Sequence, residues 1–320
     1  MSQQDILNLK TALSARIIGQ QALIERLLIA ILADGHLLVE GAPGLAKTRA
    51  IKVLGDGIEG DFHRVQFTPD LLPADLTGTE IYRPQDGSFR FQRGPLFHNL
   101  ILADEINRAP AKVQSALLEA MAERQITVGS ETYALPEIFL VMATQNPLEQ
   151  EGTYPLPEAQ LDRFLMHVRV DYPQAQDEKA ILELTRKEAR SGVRPADTAA
   201  VISQESLLQA RNDVLDIHLD DSLENYLVEI VLATRNAGRY DAEIASLIQY
   251  GASPRATMAL DRCARAFAWL SGRDFVTPED IQQIAPDVLR HRIILSFEAE
   301  AEGFSPDRCI QEILNRVAVP

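Results

Sequence analysis

A glycine-containing loop with a lysine and a threonine at its end follows a short apolar segment near the start of the chain. The apolar segment is 36–39, and the loop is formed by Gly41, Ala42, Pro43, Gly44, Leu45, Ala46, Lys47 and Thr48. When such a loop joins a buried strand to a helix, its backbone N–H groups wrap phosphate oxygens, its lysine meets the β and γ oxygens, and its hydroxyl holds Mg²⁺. Glycine usually precedes the lysine, so Ala46 departs from the pattern by one methyl group. The loop predicts a phosphate site, and a Gly/Pro turn that happens to precede a lysine is the alternative.

Two acidic residues follow another apolar segment further along the chain. Asp104 and Glu105 come directly after 100–103, which reads Leu-Ile-Leu-Ala. Beside a phosphate loop, an aspartate in this place completes the Mg²⁺ shell and a glutamate polarises the attacking water. An acidic turn at the end of a strand is common by itself, but its combination with the loop favours nucleotide hydrolysis.

Three further side chains are of the right types to act on the γ-phosphate. Asn146 follows the apolar segment 138–143 and precedes a proline, so it is either a water-orienting amide or a turn former. Arg163 lies in the string Leu-Asp-Arg-Phe, and Arg255 lies in the first turn of a predicted helix that Ser253 caps. An arginine that reaches the γ-phosphate from a neighbouring subunit or a lid raises the rate by roughly 10³–10⁵ in the best-measured cases. An ordinary solvated arginine is the alternative for either.

The first half of the chain has the pattern of a scaffold that could position these residues. Short apolar segments alternate there with segments of helical spacing. The predicted strands are 36–39, 62–67, 100–103, 138–143 and 166–170, and the predicted helices include 48–54 and 110–124. Strands separated by helices predict an α/β fold, in which helices cover both faces of a parallel sheet.

Two hairpins interrupt this pattern, and the character of the chain then changes. Hairpins are predicted over about 81–92, around Gln-Asp-Gly-Ser, and over about 125–135, around Gly-Ser. From Pro173 onward only helical spacing is visible, and helices are predicted over 177–187, 222–235, 253–270 and 277–289. The sequence therefore predicts an α/β domain at 1–172 and an all-α domain at 173–320.

The composition argues against several classes of protein. The 320 residues carry a formal net charge of −15 and no block of lysine and arginine, which argues against nucleic acid as a main partner. No segment approaches the roughly 20 apolar residues of a membrane helix. The polar N-terminus shows no secretory signal, and the two cysteines and six scattered histidines have no metal-ligand spacing. The simplest location is a reducing, cytoplasmic one.

Taken in order, the loop, the acidic pair, Asn146, Arg163 and Arg255 resemble the site residues of AAA+ ATPases. Three longer strings resemble the MoxR family specifically: FTPDLLPADLTG at 67–78, DEINRAP at 104–110 and EGTYPLPEAQLDRF at 151–164. The resemblance covers essentially the whole chain, and these strings are far more specific than the loop. In this family an alanine commonly precedes the lysine, so Ala46 fits the family and does not count against activity.

The resemblance implies a P-loop AAA+ core followed by an all-α lid, with ATP or ADP and Mg²⁺ as ligands. The resemblance places Ile18, Gly19 and Gln20 near the adenine and the loop from Gly41 to Thr48 at the phosphates. It assigns Thr48 and Asp104 to Mg²⁺, and it makes Asp104 and Glu105 the second, acidic motif.

The resemblance further implies a ring, usually a hexamer, because a finger arginine acts across a subunit boundary. It assigns Asn146 to the first sensor, Arg255 to the second and Arg163 to the arginine finger, and Arg108 and Arg169 are nearby alternatives for the finger. The two predicted hairpins then correspond to insertions that face the central channel.

Members of this family act as chaperone-like remodelling ATPases, often with partners that contain a von Willebrand factor A domain. They help to mature or activate protein complexes, which includes the insertion of metal cofactors. The resemblance thus implies an ATPase that turns hydrolysis into movement of the lid against the core. A nucleotide-gated scaffold with little turnover is one alternative, and a nucleic-acid motor of the same fold is another. The scaffold needs neither Glu105 nor the sensor and finger residues, and the net charge of −15 argues against the motor.

Overall fold

The structure is a computed structural model that describes residues 2–85, 87–148, 152–191 and 202–320. These residues form two compact units, one of Met1–Leu156 and Val168–Leu208 and the other of Pro157–His167 and Gln209–Pro320. The strands are β1 (Leu37–Gly41), β2 (Phe62–Gln66), β3 (Gly78–Arg83), β4 (Ser88–Arg93), β5 (Leu100–Asp104), β6 (Gln125–Val128), β7 (Glu131–Ala134), β8 (Leu140–Gln145), β9 (Met166–Val170), β10 (Ile248–Tyr250) and β11 (Ile294–Leu295). The helices are α1 (Ser2–Arg16), α2 (Gln21–Leu32), α3 (Lys47–Asp56), α4 (Pro73–Thr77), α5 (Ala111–Glu123), α6 (Glu158–Leu161), α7 (Ala175–Ser191), α8 (Gln204–Leu215), α9 (Asp221–Arg235), α10 (Ala242–Leu247), α11 (Pro254–Leu270), α12 (Pro278–Leu289), α13 (Phe297–Ala301) and α14 (Pro306–Arg316).

A five-stranded sheet has the strand order β2–β5–β8–β1–β9. The pairs β2–β5, β5–β8 and β8–β1 are parallel. Residues 100–103 and 140–143 are all buried, as expected for parallel strands that helices cover on both faces. The predicted α/β fold with a parallel sheet is therefore confirmed.

The carboxyl ends of these parallel strands meet at one edge of the sheet. β1 ends at Gly41 and β5 at Asp104, and Gln66 at the end of β2 lies beside Asp104 in the register. The strand predicted at 138–143 begins instead at Leu140 and continues to Gln145, which brings its end to the same edge. In open α/β sheets this edge is where ligands bind.

Both predicted hairpins are present. β3 pairs antiparallel with β4, so the first hairpin begins at Gly78, earlier than predicted, and β6 pairs antiparallel with β7. Asp86, in the predicted turn of the first hairpin, lies outside the described residues. The rings of Phe91 and Tyr133 stack with centroids 4.3 Å apart, and this contact joins the two hairpins.

The second unit is built mainly from helices, and side chains cap the starts of α11 and α12, including the predicted cap at Ser253. Ser253 Oγ accepts a hydrogen bond from the backbone N–H of Arg255, and Thr277 and Asp280 form a capping box. The predicted helical region after Pro173 is confirmed, with one addition: β10 and β11, which were not predicted, pair as a small antiparallel sheet. Strands of two or three residues are too short to show a period in a sequence. The domain boundary near residue 172 stays a prediction.

Across the described parts of the chain, no helix combines the length and the apolar character that crossing a membrane requires.

Candidate nucleotide site

The loop between β1 and α3 has the backbone of a phosphate cradle. Gly44 and Ala46 both have left-handed conformations, with φ of 84° and 60°. A Cβ added at Gly44 would meet no atom within 4 Å, so the backbone angle and not the available space favours glycine there. The turn directs the chain into α3, which begins at Lys47. The N-terminal end of such a helix offers unpaired N–H groups to an anion.

Lys47 is held at the centre of this edge. Its Nζ donates to the backbone oxygens of Gly41, at the end of β1, and of Gln145, at the end of β8, the latter at 3.4 Å. Burial lowers the pKa of Lys47, and the carboxylates of Asp104, Glu105 and Glu40 oppose that shift. The ammonium group is thus surrounded by acceptors that an incoming phosphate could replace.

Thr144 organises the acidic pair. Its hydroxyl donates to Oδ1 of Asp104 at 2.6 Å and accepts from the backbone N–H of Glu105 at 2.9 Å. Glu105 has a left-handed backbone with φ of 58°, which turns the chain sharply after β5. A non-glycine residue in this conformation costs of order 1 kcal/mol and is typical of functional sites. The two carboxylates therefore leave the strand in fixed, different directions.

Side chains from β2 and from the turn after β5 contact the same two carboxylates. The NH2 group of Arg64 donates to Oδ2 of Asp104 at 2.7 Å. Nε2 of Gln66 donates to Oε2 of Glu105 at 2.8 Å, and Nε of Arg108 lies 3.1 Å from the same oxygen. Both oxygens of Asp104 and one oxygen of Glu105 therefore have protein partners in this structure.

The loop, the acidic pair and Asn146 surround one cavity of about 340 Å³. Its lining is formed by Pro43, Gly44, Leu45, Ala46, Lys47, Thr48, Arg49, Asp104, Glu105, Thr144, Gln145 and Asn146. Asn146 is buried, and its Oδ1 accepts from the backbone N–H of Leu148 at 3.1 Å. Asn146 thus makes a turn-forming contact and also lines the cavity, so the two interpretations of this residue are compatible.

A second cavity of about 230 Å³ adjoins the loop on another side. Leu45, Ala46 and Arg49 line both cavities, and Ile18 and Gln20 line the second one. Two of the three residues that the resemblance assigns to the adenine therefore line a cavity beside the loop, and their role stays a prediction.

The turn before α2 also has a constrained backbone at this place. Gly19 has φ of 77°, and a Cβ added there would lie 3.1 Å from Cβ of Asp177. The side chain of Gln20 donates to the backbone oxygen of Asp171 at 3.1 Å. These contacts tie the turn at 18–20 to the chain that follows β9.

The oxygen donors in the first cavity fit Mg²⁺. The hydroxyl of Thr48 and the carboxylate of Asp104 both line it. Mg²⁺ binds through one or two carboxylates together with substrate phosphates, and it does not need a cage made only of protein groups. Within the described ranges, no group of three or more His, Cys, Asp or Glu side chains is placed to hold a metal ion. The donor set thus suits a cation that enters with a nucleotide.

The structure adds three site residues to which the sequence assigned no role, and it gives Arg108, considered before only as an alternative finger, a contact in the site. Thr144, Arg64 and Gln66 contact the acidic pair, and Arg108 does so as a partner of Glu105. The signal that could have found Gln66 is its place at the end of β2, beside Asp104.

The predicted finger and second sensor belong to the second unit. Arg163 follows α6, and Arg255 lies in the first turn of α11, where NH1 is 3.9 Å from Oδ2 of Asp162. Of the two alternatives for the finger, Arg108 contacts Glu105 and Nε of Arg169 lies 3.4 Å from Glu40. The roles of all four arginines stay predictions.

Comparisons with known protein families, sequences and structures all find similarity to ATPases or to MoxR proteins. Residues 36–166 match the model of the ATPase family associated with various cellular activities (AAA), and residues 241–313 match an AAA lid domain. The chaperone MoxR1 of Mycobacterium tuberculosis is 45% identical over 305 residues, which are 95% of this chain and 79% of that protein. The protein MoxR of Paracoccus denitrificans is 34% identical over 93% of this chain and 91% of its own length. A crystal structure of a candidate ATPase from Cytophaga hutchinsonii matches with a TM-score of 0.92 and 48% identity, over 100% of this chain and 96% of that one.

Proposed function

This chain belongs to the MoxR family of AAA+ ATPases, and we propose that it binds and hydrolyses Mg-ATP to remodel, mature or activate a partner protein complex. One observation carries the proposal. A single cavity is lined by the phosphate loop with Lys47 and Thr48, by the acidic residues Asp104 and Glu105, and by Asn146. A protein that only bound a nucleotide would need the loop but not Glu105.

The nucleotide spans the two adjoining cavities. Its phosphates lie against the N-terminal end of α3, where backbone N–H groups and Lys47 neutralise their charge. The adenine lies in the second cavity, which Ile18 and Gln20 line, and Gly19 lies between these two residues in the chain. This arrangement follows from the loop residues that both cavities share.

Hydrolysis depends on the acidic pair. Thr48 and Asp104 would hold Mg²⁺, which would supply positive charge to the phosphates when it is bound. Glu105 polarises the attacking water, either through Oε1 or after Oε2 exchanges a contact with Gln66 or Arg108 for the water. Asn146 has its oxygen in the turn, so its amide nitrogen is the group that contacts the water or the γ-phosphate.

The working form is a homo-oligomeric ring, which we propose to be a hexamer. Arg163 acts on the nucleotide of a neighbouring subunit, and Arg255 acts from the lid. Both place positive charge near the γ-phosphate as it leaves. Residues 1–172 act as the nucleotide-binding core and 173–320 as the lid, in a cytoplasmic setting.

The client is a protein complex, which a partner with a von Willebrand factor A domain helps to recruit. Its contact surface includes the first hairpin, where Ile81, Tyr82 and Phe89 are exposed although they are large and apolar. Exposed apolar groups with neighbouring arginines such as Arg83 and Arg90 are typical of protein-binding surfaces. Insertion of a metal cofactor into the client is one activity that such remodelling would support.

Trapping of the client tests this function. Glu105→Gln is expected to bind ATP without hydrolysing it, so the loaded protein should hold its partner during purification in ATP and Mg²⁺. Lys47→Ala, which loses the phosphate contact, is the matched control and should retain no partner. An ATP-driven cycle would be contradicted if the same proteins co-purified equally with Glu105→Gln and with Lys47→Ala. It would also be contradicted if Glu105→Gln retained them equally in ADP and in ATP.

A further inference from the structure

A buried guanidinium fixes the backbone on both sides of Arg163. The side chain of Arg292, which follows α12, is 2% exposed. Its Nε donates to Oδ1 of Asp162 at 2.8 Å. Its other nitrogens donate to the backbone oxygens of Asp162, Phe164, Leu165 and Val288. Three of those carbonyls flank Arg163, so one side chain determines the path of the chain at that arginine.

The carboxylate of Asp162 extends the arrangement to Arg255. Its Oδ2 accepts from Oγ of Ser253 at 2.8 Å and lies 3.9 Å from NH1 of Arg255. The same Ser253 oxygen caps α11 by accepting from the backbone N–H of Arg255 at 3.1 Å. One carboxylate therefore connects Arg292 with the helix start that carries Arg255.

Stability alone does not explain a charged pair at this place. Removing two ions from water costs several kcal/mol each, and well-packed apolar side chains of similar volume often stabilise a protein at least as well. Burial lowers the pKa of Arg292, and the carboxylate of Asp162 opposes that shift. What apolar side chains cannot supply is a planar set of donors that holds several carbonyls in one geometry.

We propose that Arg292 and Asp162 are positioning residues for ATP hydrolysis, and that together they hold Arg163 and Arg255 in one geometry. This rests on the proposed function, in which Arg163 is the finger and Arg255 the second sensor. Neither positioning residue touches the nucleotide, because each acts through the two arginines. Removing Arg292 and removing Arg255 therefore take away part of the same contribution, and their effects on the rate are not additive.

A double-mutant cycle on steady-state ATP hydrolysis tests the proposal with the full chain. Arg292→Lys keeps the charge but loses the fork of donors, and we expect it to lower kcat about tenfold while KM for ATP changes less than about threefold. In an Arg255→Ala background the same change should lower kcat by a clearly smaller factor, about threefold, because only the contribution through Arg163 remains. Asp162→Asn, which removes the charge of the partner carboxylate, should likewise lower kcat more in the wild-type background than in the Arg255→Ala background.

Arg273→Lys is the matched control. Arg273 makes a bidentate pair with the buried carboxylate of Asp280 in the same unit, at 2.6 and 2.5 Å. It makes no hydrogen bond to residues 162–165 among the contacts of the described chain. Its substitution should lower the unfolding free energy but leave kcat near the wild-type value.

Two results would overturn the positioning role in an active enzyme. One is an equal loss of kcat on Arg292→Lys in the wild-type and Arg255→Ala backgrounds, and the other is a loss of the same size in Arg273→Lys. If circular dichroism shows that Arg292→Lys does not fold, Asp162→Asn takes its place in the cycle under the same criteria. A wild-type chain that hydrolyses no ATP would instead overturn the proposed function, and the positioning role with it.

Discussion

Gln66 donates its side-chain amide to the carboxylate of Glu105, with 2.8 Å between Nε2 and Oε2. Gln66 is the last residue of β2, and Glu105 directly follows β5, the neighbouring strand. One oxygen of the carboxylate that we propose to polarise water is therefore engaged by a side chain from the sheet. The contact gives strand β2 a direct influence on the proposed catalytic carboxylate.

Gln66→Ala should raise the basal rate of ATP hydrolysis. Loss of this donated hydrogen bond leaves Oε2 of Glu105 with one fewer protein partner, so water can reach the carboxylate more readily. We expect kcat to rise about threefold with little change in KM, on the scale of one hydrogen bond. Gln92→Ala, on the first hairpin, is the control. A fall in kcat for Gln66→Ala would show instead that the amide holds Glu105 in its working position.

Ala46→Gly should stabilise the protein and keep nucleotide binding. Ala46 has φ of 60°, a conformation that costs an L-residue about 1 kcal/mol and costs glycine almost nothing. The unfolding free energy should therefore rise by up to about 1 kcal/mol in urea titrations.

Ala50→Gly is the matched control for this loop, because Ala50 lies in the regular part of α3. There glycine should lower the unfolding free energy by about 1 kcal/mol or more. A loss of stability in both variants would show that the methyl group of Ala46 makes contacts that outweigh the strained backbone.

Arg163→Ala should reduce turnover with little loss of ATP affinity, if this arginine acts across a subunit boundary. Removing a finger arginine lowers the rate by roughly 10³-fold or more in the best-measured cases. Mixing Arg163→Ala with an excess of Lys47→Ala subunits should restore part of the activity, because each variant supplies the group that the other lacks. Absence of any recovery in rings shown to contain both variants would argue for action within one subunit, or for Arg108 or Arg169 as the finger.

His291 should make the protein less stable as the pH falls below about 6.5, the usual pKa of histidine. Burial, followed by the nearby Arg292 and His167, holds the pKa of His291 well below that value. At pH values between the pKa of His291 in the folded protein and its pKa in the unfolded chain, the unfolded chain binds more protons than the folded one. The unfolding free energy therefore rises with pH in this range. The slope reaches at most about 1.4 kcal/mol per pH unit.

Urea unfolding between pH 5 and 7, read by circular dichroism, measures this slope. His291→Gln, whose amide can still donate to the backbone oxygen of Phe164, should show a smaller one. His218→Gln, at an exposed position, should leave the contribution of His291 in place. If the unfolding free energy changed equally with pH in wild type and in His291→Gln, His291 would not be the source of the pH dependence.

The strands of the central sheet were predictable because helices cover both faces. Segments such as 100–103 and 140–143 are buried at every position and so read as continuous apolar runs. The loop and the acidic pair were predictable for a related reason, since each lies at the end of such a run.

Other parts depended on information that one sequence does not contain. In α1 only Ile6, Leu9 and Leu13 mark a buried face among polar residues, and the helix was not predicted. The contacts of Thr144 and Gln66 depend on which strands are neighbours and in what register, and a parallel sheet leaves both undetermined from local sequence. The hydrogen bonds of Arg292 join residues far apart in the chain, so no local sequence pattern predicts them.

The central claim is that this cavity hydrolyses ATP with Glu105 as the water-polarising residue. The most direct test measures steady-state phosphate release in Mg²⁺ for wild type and Glu105→Gln across a range of protein concentrations, with nucleotide affinity measured in parallel. We predict Mg²⁺-dependent turnover by wild type that rises per subunit as rings assemble, and a rate at least about 10²-fold lower for Glu105→Gln with ATP affinity within about threefold. Turnover that persists in Glu105→Gln, or wild type that binds ATP and hydrolyses none at any concentration, would contradict the account.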